Sequence, residues 1–198
     1  MPSLKNPDWR KTIPDVVLSV IARDGLEAAS IRRIAKELGF STAVVTHTFP
    51  EKNQLLLCSY HRFVDSGDRK YDAKVAQDPT DLVGYLMSMT ALDDTDLAYW
   101  RAYVAIWDKV LSDGVFTAEL RDWIGRGIRR IEEFVMAYNP NCPDPHRIAR
   151  QLLALTRGIS EQQILDRESW SREDVRDFFV RQVECALGPP KGGDQRRC

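Results

Sequence analysis

Residues 30–49, SIRRIAKELGFSTAVVTHTF, constrain the fold more than any other stretch of the chain. Ile31, Ile34, Ala35 and Leu38 recur at helical spacing, so they give a short helix one apolar face. Gly39 follows at once, where a helix ends and a positive φ costs glycine little. Ser41 offers a side-chain oxygen to cap a second helix running through Val44 and Val45 toward Phe49. A helix this short is not stable alone, so its apolar residues must pack on a neighbour. Its other face then stays available. Ala35 is small where two helices would cross, Gly39 sits in the turn, and Val45 points inward. That spacing fits a helix-turn-helix, and it fits an ordinary αα-hairpin equally well.

The outer face carries Thr42, Ala43, Thr46 and His47, all small or hydrogen-bonding and none acidic. A helix that enters a DNA major groove needs this character. Small side chains permit close approach, and hydroxyl or imidazole groups reach base edges and phosphates. Net charge over the 198 residues is −1, which does not itself suggest nucleic acid. Its distribution says more: residues 1–63 hold nine Lys/Arg against six Asp/Glu, and the remainder is acidic. A mildly basic head on an acidic body suits a protein that touches phosphates at one end.

The segment 25–56, GLEAASIRRIAKELGFSTAVVTHTFPEKNQLL, resembles the N-terminal domain of the TetR family of bacterial transcriptional repressors. Gly25, Ser30-Ile31, Ile34-Ala35, Gly39, Ser41-Thr42, Phe49, Lys52 and Leu55-Leu56 carry the resemblance, and STAVVTHTF is closest to the BetI-like subgroup. The resemblance implies an all-α protein. It would have a three-helix helix-turn-helix head over residues 1–56, a helical ligand-binding and dimerisation domain over 57–187, and a disordered tail over 188–198. It also implies a DNA face made by Arg32, Ser41, Thr42, Ala43, Thr46, His47, Thr48 and Lys52. Two departures stand out. Pro14 replaces an aliphatic residue, so the first helix either begins near Thr12 or is kinked. Thr48 replaces the aromatic residue or His common before Phe49.

Along the chain, the arm 1–8 is expected to be loose; Arg10 and Lys11 would reach phosphates, as would Lys5, which equally suits a plain disordered end. A first helix to Asp24 buries Val16, Val17, Val20 and Ile21. A long helix runs from Lys52 to about Val75, and Pro79 opens the next. One helix from Asp96 to Ser112, apolar on two sides, should be central in its domain and end at Gly114. Helices follow over 116–138, 146–167 and from a Ser171 cap. Trp100, Tyr103, Trp107 and Trp123 are the candidate effector lining, since aromatic walls suit organic ligands and cations. They would equally make a plain aromatic core. The subgroup resemblance points to choline-like effectors, but Arg157-Gly158-Ile159-Ser160 lacks the acid and Trp of that subgroup's run. In the family the last two helices pair with a second subunit. The apolar stripes of 146–167 and 171–187 would form that interface, or pack internally. Two-fold symmetry also matches a palindromic operator.

Other classes are disfavoured. A chain this long buries roughly 70% of its unfolded surface without disulfides or metal. Cys58, Cys142, Cys185 and Cys198 have no paired spacing. No apolar run nears the ~18 residues of a membrane span, and the N-terminus lacks a signal peptide, so the expected location is cytoplasmic. The three histidines form no metal or triad pattern, and no Gly-rich phosphate loop occurs. The reading is therefore a ligand-responsive repressor without cofactor, not an enzyme, acting as a homodimer on double-stranded DNA. The alternatives are a helical protein–protein adaptor and an uncharacterised all-helical enzyme.

Overall fold

The computed structural model describes residues 8–189, and these form helices and turns with no strand among them. The expectations for the arm 1–8 and the tail 188–198 fall, apart from Asp8, Gly188 and Pro189, outside the described residues. Ten α-helices follow one another: α1 Trp9–Asp24, α2 Ile31–Leu38, α3 Thr42–Thr48, α4 Lys52–Gln77, α5 Leu82–Ser88, α6 Asp94–Ala105, α7 Trp107–Ser112, α8 Gly114–Tyr138, α9 Pro145–Leu165 and α10 Arg172–Leu187. They divide into two compact units, one of residues 1–66 with 98–118, the other of 67–97 with 119–198.

In the first unit, α1 packs on α2 and α3, and α2 on α3. The buried stripe of α1 is Ile13, Val17, Leu18, Val20 and Ile21; Val16, expected inside, is only half-buried. Ser30 caps α2 by accepting from the Arg33 amide. At the other end Gly39 takes φ 72°. The Phe40 amide then reaches the Ala35 carbonyl and the Gly39 amide reaches that of Lys36, the paired bonds of a Schellman cap. Val45 and Phe49 are buried and seat α3.

α1 extends to Trp9, so Pro14 lies inside it rather than in its first turn. Proline has no amide to give the carbonyl four residues earlier, that of Arg10. The Cys58 thiol of α4 stands 4.0 Å from that carbonyl as a weak substitute donor. Burial pushes this thiol's pKa up, which keeps it in the protonated, donating form.

The helix expected over 96–112 is broken at Ile106, between α6 and α7. Gly114 does not terminate it. Asp113, in extended conformation, ends α7, and Gly114 begins α8. Around Phe63 of α4 an aromatic cluster gathers, with Tyr103 stacked at 5.2 Å and Trp100 edge-on at 5.9 Å.

In the second unit, α5, α8, α9 and α10 bury one core of Leu86, Ile131, Phe134, Leu152, Phe179 and their neighbours. Tyr85 stacks on Phe134 at 4.5 Å. Pro79 does not open α5; Asp81 does, accepting from the Gly84 amide. Ser171 caps α10, as the sequence suggested, and Asp174 completes a capping box with it. α9 stops at Leu165, short of Arg167, with Asp166 ending it in an extended conformation. The apolar stripes of α9 and α10 pack internally, with Ile148, Leu152, Ile159, Val175, Phe179 and Val183 all buried.

Candidate nucleic-acid interface

The exposed face of α3 carries the side chains the sequence singled out. Thr42, Ala43, Thr46 and His47 are exposed, while Thr48 is half-buried. The Thr46 hydroxyl lies 3.1 Å from the Thr42 carbonyl and 3.3 Å from that of Ala43. With its proton directed there, it presents its lone pairs and methyl group outward. Thr48 donates likewise to the Val44 carbonyl at 2.9 Å. Ser41 does not cap α3 with its side chain as expected. Its exposed hydroxyl is left for other partners.

Charge on α2 is sorted by side. Arg33 and Glu37 join Arg23 and Asp24 of α1 in a closed ionic ring. Arg23 binds Glu37 at 2.9 Å and Asp24 at 3.0 Å; Arg33 binds Glu37 at 2.9 Å and Asp24 at 3.1 Å. The Arg23 hydrogen bond, with the charges of Arg23 and Arg33, holds the Asp24 carboxyl below its ordinary pKa. Arg32 and Lys36, one turn apart, are exposed, and so is Lys52 at the start of α4. Among the described residues no acid lies within ion-pair distance of these three. The ring was missed in the sequence, although the four-residue spacing of Arg33 and Glu37 signals half of it. Elsewhere in the first unit, Arg62 of α4 grips Asp15 of α1 through two bonds of 2.7 and 3.0 Å.

The four aromatic residues named as effector lining fall in two units. Trp100 and Tyr103 are 5% and 2% exposed within the Phe63 cluster, and Trp107 is half-buried at its margin, 6.0 Å from Tyr103. Trp123 belongs to the other unit. There the Arg157 guanidinium of α9 stands over its ring at 5.9 Å, and Gly67 of α4 faces its indole nitrogen. Arg157 was noticed in the sequence only as a departure. Among the described residues no group of three or more metal-ligating side chains occurs, and no helix is long and apolar enough to cross a membrane.

A short helix seated by Val45 and Phe49, set off by a left-handed glycine and turning uncharged polar groups outward beside free basic residues, defines a helix-turn-helix DNA-binding protein. The sequence model for bacterial regulatory proteins of the tetR family matches residues 15–57, and that for the C-terminal part of BetI-type transcriptional repressors matches residues 80–188. The chain belongs to the TetR family of transcriptional regulators and carries a BetI-type C-terminal region. The HTH-type transcriptional regulator BetI of Rhizobium meliloti (strain 1021) is 28% identical over 166 residues, 80% of this chain and 79% of the relative. Two solved structures share the fold. A transcriptional regulator from Rhodococcus sp. Rha1 has a TM-score of 0.79 at 19% identity, over 93% of this chain and 99% of the other. A regulator from Saccharomonospora viridis, in complex with choline, has 0.75 at 22%, over 88% and 95%. These relatives are regulators of transcription, and none is an enzyme by its description.

Proposed function

We propose that this protein is a BetI-type repressor that binds a palindromic operator as a homodimer and leaves it when a small organic effector occupies its C-terminal body. The observation that carries the reading is the uncharged polar face of α3 in a chain whose residues 80–188 match the BetI-type repressor model. Residues 1–56 act as the reading head, 57–187 as the effector and dimer body. The protein acts in the cytoplasm, where its DNA lies. Thr46 and His47 read base edges from the major groove, with Thr42 and Ala43 allowing close approach. Ser41, Thr48, Arg32 and Lys52 hold the backbone.

α9 and α10 supply the dimer contact. Their large apolar stripes are used within the chain, so the contact rests on the remaining outer surface, where Leu165 is 89% exposed. Of the four named aromatic residues, Trp100 and Tyr103 are already packed in the Phe63 cluster, which leaves them less open to an effector. Choline is bound by the Saccharomonospora viridis regulator. Here the Arg157 guanidinium already stands over Trp123, so a quaternary ammonium would meet like charge on that face. The effector is therefore an organic molecule that does not depend on a cation held by Trp123.

Release is a population shift. Effector favours a conformer whose two heads are wrongly spaced for successive major grooves, about 34 Å apart. Linkage supplies the test: calorimetry must find effector binding free dimer more tightly than operator-bound dimer. Equal affinities exclude the mechanism.

A further inference from the structure

The first turn of α1 is held by devices separate from those of the rest of the helix. Pro14 breaks the hydrogen-bond ladder at the Arg10 carbonyl, and Cys58 of α4 approaches that carbonyl instead. One residue earlier, Trp9 meets Phe40 edge to face, ring centroids 4.8 Å apart. Phe40 follows the left-handed Gly39 directly and stays 42% exposed. In a Schellman cap the residue at this position commonly folds back on its own helix; here its ring is engaged by another helix. Phe40 is two residues from Thr42, so the aromatic pair sets the first turn of α1 beside the leading end of the α3 face. Arg10 is exposed on that turn, with no acid among the described residues in ion-pair range.

We propose that Arg10 is a DNA-backbone contact and that Trp9 and Phe40 are its positioning pair, keying the first turn of α1 to the turn of the helix-turn-helix. A guanidinium there neutralises a phosphate flanking the half-site read by α3. Because Pro14 removes the helix hydrogen bond to the Arg10 carbonyl, the Trp9–Phe40 contact sets where that charge sits. The proposal rests on the operator-binding reading above.

The test uses the full-length protein and a site selected from randomised DNA, with affinity measured against salt. Each lost phosphate contact flattens the slope of log K on log salt by about 0.9, so a two-fold dimer loses about 1.8. Arg10→Ala is expected to flatten the slope by that amount. Trp9→Ala should match it, Trp9→Phe should retain the wild-type slope, and the double variant W9A/R10A should lose no more than either alone. Thermal unfolding reports whether each variant is folded. An unchanged slope in Arg10→Ala overturns the proposal, and this exposed substitution does not threaten the fold. A Trp9→Ala protein that melts earlier but keeps its slope reduces the pair to a structural role and overturns the positioning claim. If wild type selects no DNA, the operator reading itself fails, which is a distinct result.

Discussion

Arg33 in the first turn of α2 closes on Asp24 at the end of α1, Nη2 to Oδ2 3.1 Å, and so turns its charge away from the face on which Arg32 lies. Two neighbouring arginines thereby acquire different work. Arg32→Ala should weaken binding to every DNA sequence and flatten the salt slope by about 0.9 per protomer. Arg33→Ala should leave that slope intact. It should cost little stability, because the ring is open to solvent. Affinity against salt and denaturant unfolding separate the two. A flattened slope in Arg33→Ala would contradict the assignment.

The α3 face makes a sequence-dependent prediction. Thr46→Ala or His47→Ala should change which operator is preferred, costing about 1–3 kcal/mol at the base concerned. Lys52→Ala should instead lower affinity uniformly. Thr46 directs its proton to its own helix, so its readout should be that of an acceptor or a methyl. Selection from randomised DNA with each variant reads this out, and reversed roles would refute it.

Acid stability follows from Asp24. Its folded pKa lies below the ordinary value near 3.9, chiefly through the Arg23 hydrogen bond. The contribution is therefore complete above about pH 4 and disappears as pH falls through the depressed folded pKa. Asp24→Asn should lower stability at neutral pH and leave it little changed in strong acid. Chemical unfolding at several pH values checks this. Asp96 has the opposite sign, because burial outweighs Lys70 and raises its pKa, so its ionisation costs stability as pH rises.

Gly39 holds φ 72° with open space where a Cβ would go. Gly39→Ala should therefore cost about 1 kcal/mol from backbone strain alone, and Gly39→Asn less. Thermal unfolding of the pair decides it; equal losses would point to a steric cause.

Choline should not act as the effector. A ligand at 100 times its Kd stabilises by about 2.7 kcal/mol. Titrating choline to about millimolar levels, where such a shift would be plain for a ligand bound in the micromolar range, should leave the melting temperature unmoved. A clear rise would contradict this prediction, and its loss in Trp123→Ala would place choline at that ring.

Local signals made the head legible in the sequence. Gly39 and the inward Val45 act within a few residues, so spacing alone finds them, whereas the cap expected from Ser41 is absent and the one made by Ser30 was not read from spacing. The break at Ile106 was not legible, because both apolar faces continue across it. Gly114 misled because Asp113, not glycine, ends α7. Pro14 was noticed, but its compensation by Cys58 lies 44 residues on and needs the fold. The aromatic residues were read by type. Only packing separates Trp100, set edge-on within the Phe63 cluster, from Trp107 at its margin. For α9 and α10 the sequence left open whether the stripes meet a partner or pack internally, because one periodicity describes both; Ile148, Leu152, Ile159, Val175, Phe179 and Val183 are buried in the chain itself.

The most direct test of the account is footprinting of the full-length protein on sites enriched from a randomised DNA pool. The account predicts a palindromic site with two protected half-sites about one helical turn apart, and protection that fades steeply with salt. Failure to enrich any sequence at low salt, or protection of a single asymmetric site, would contradict it.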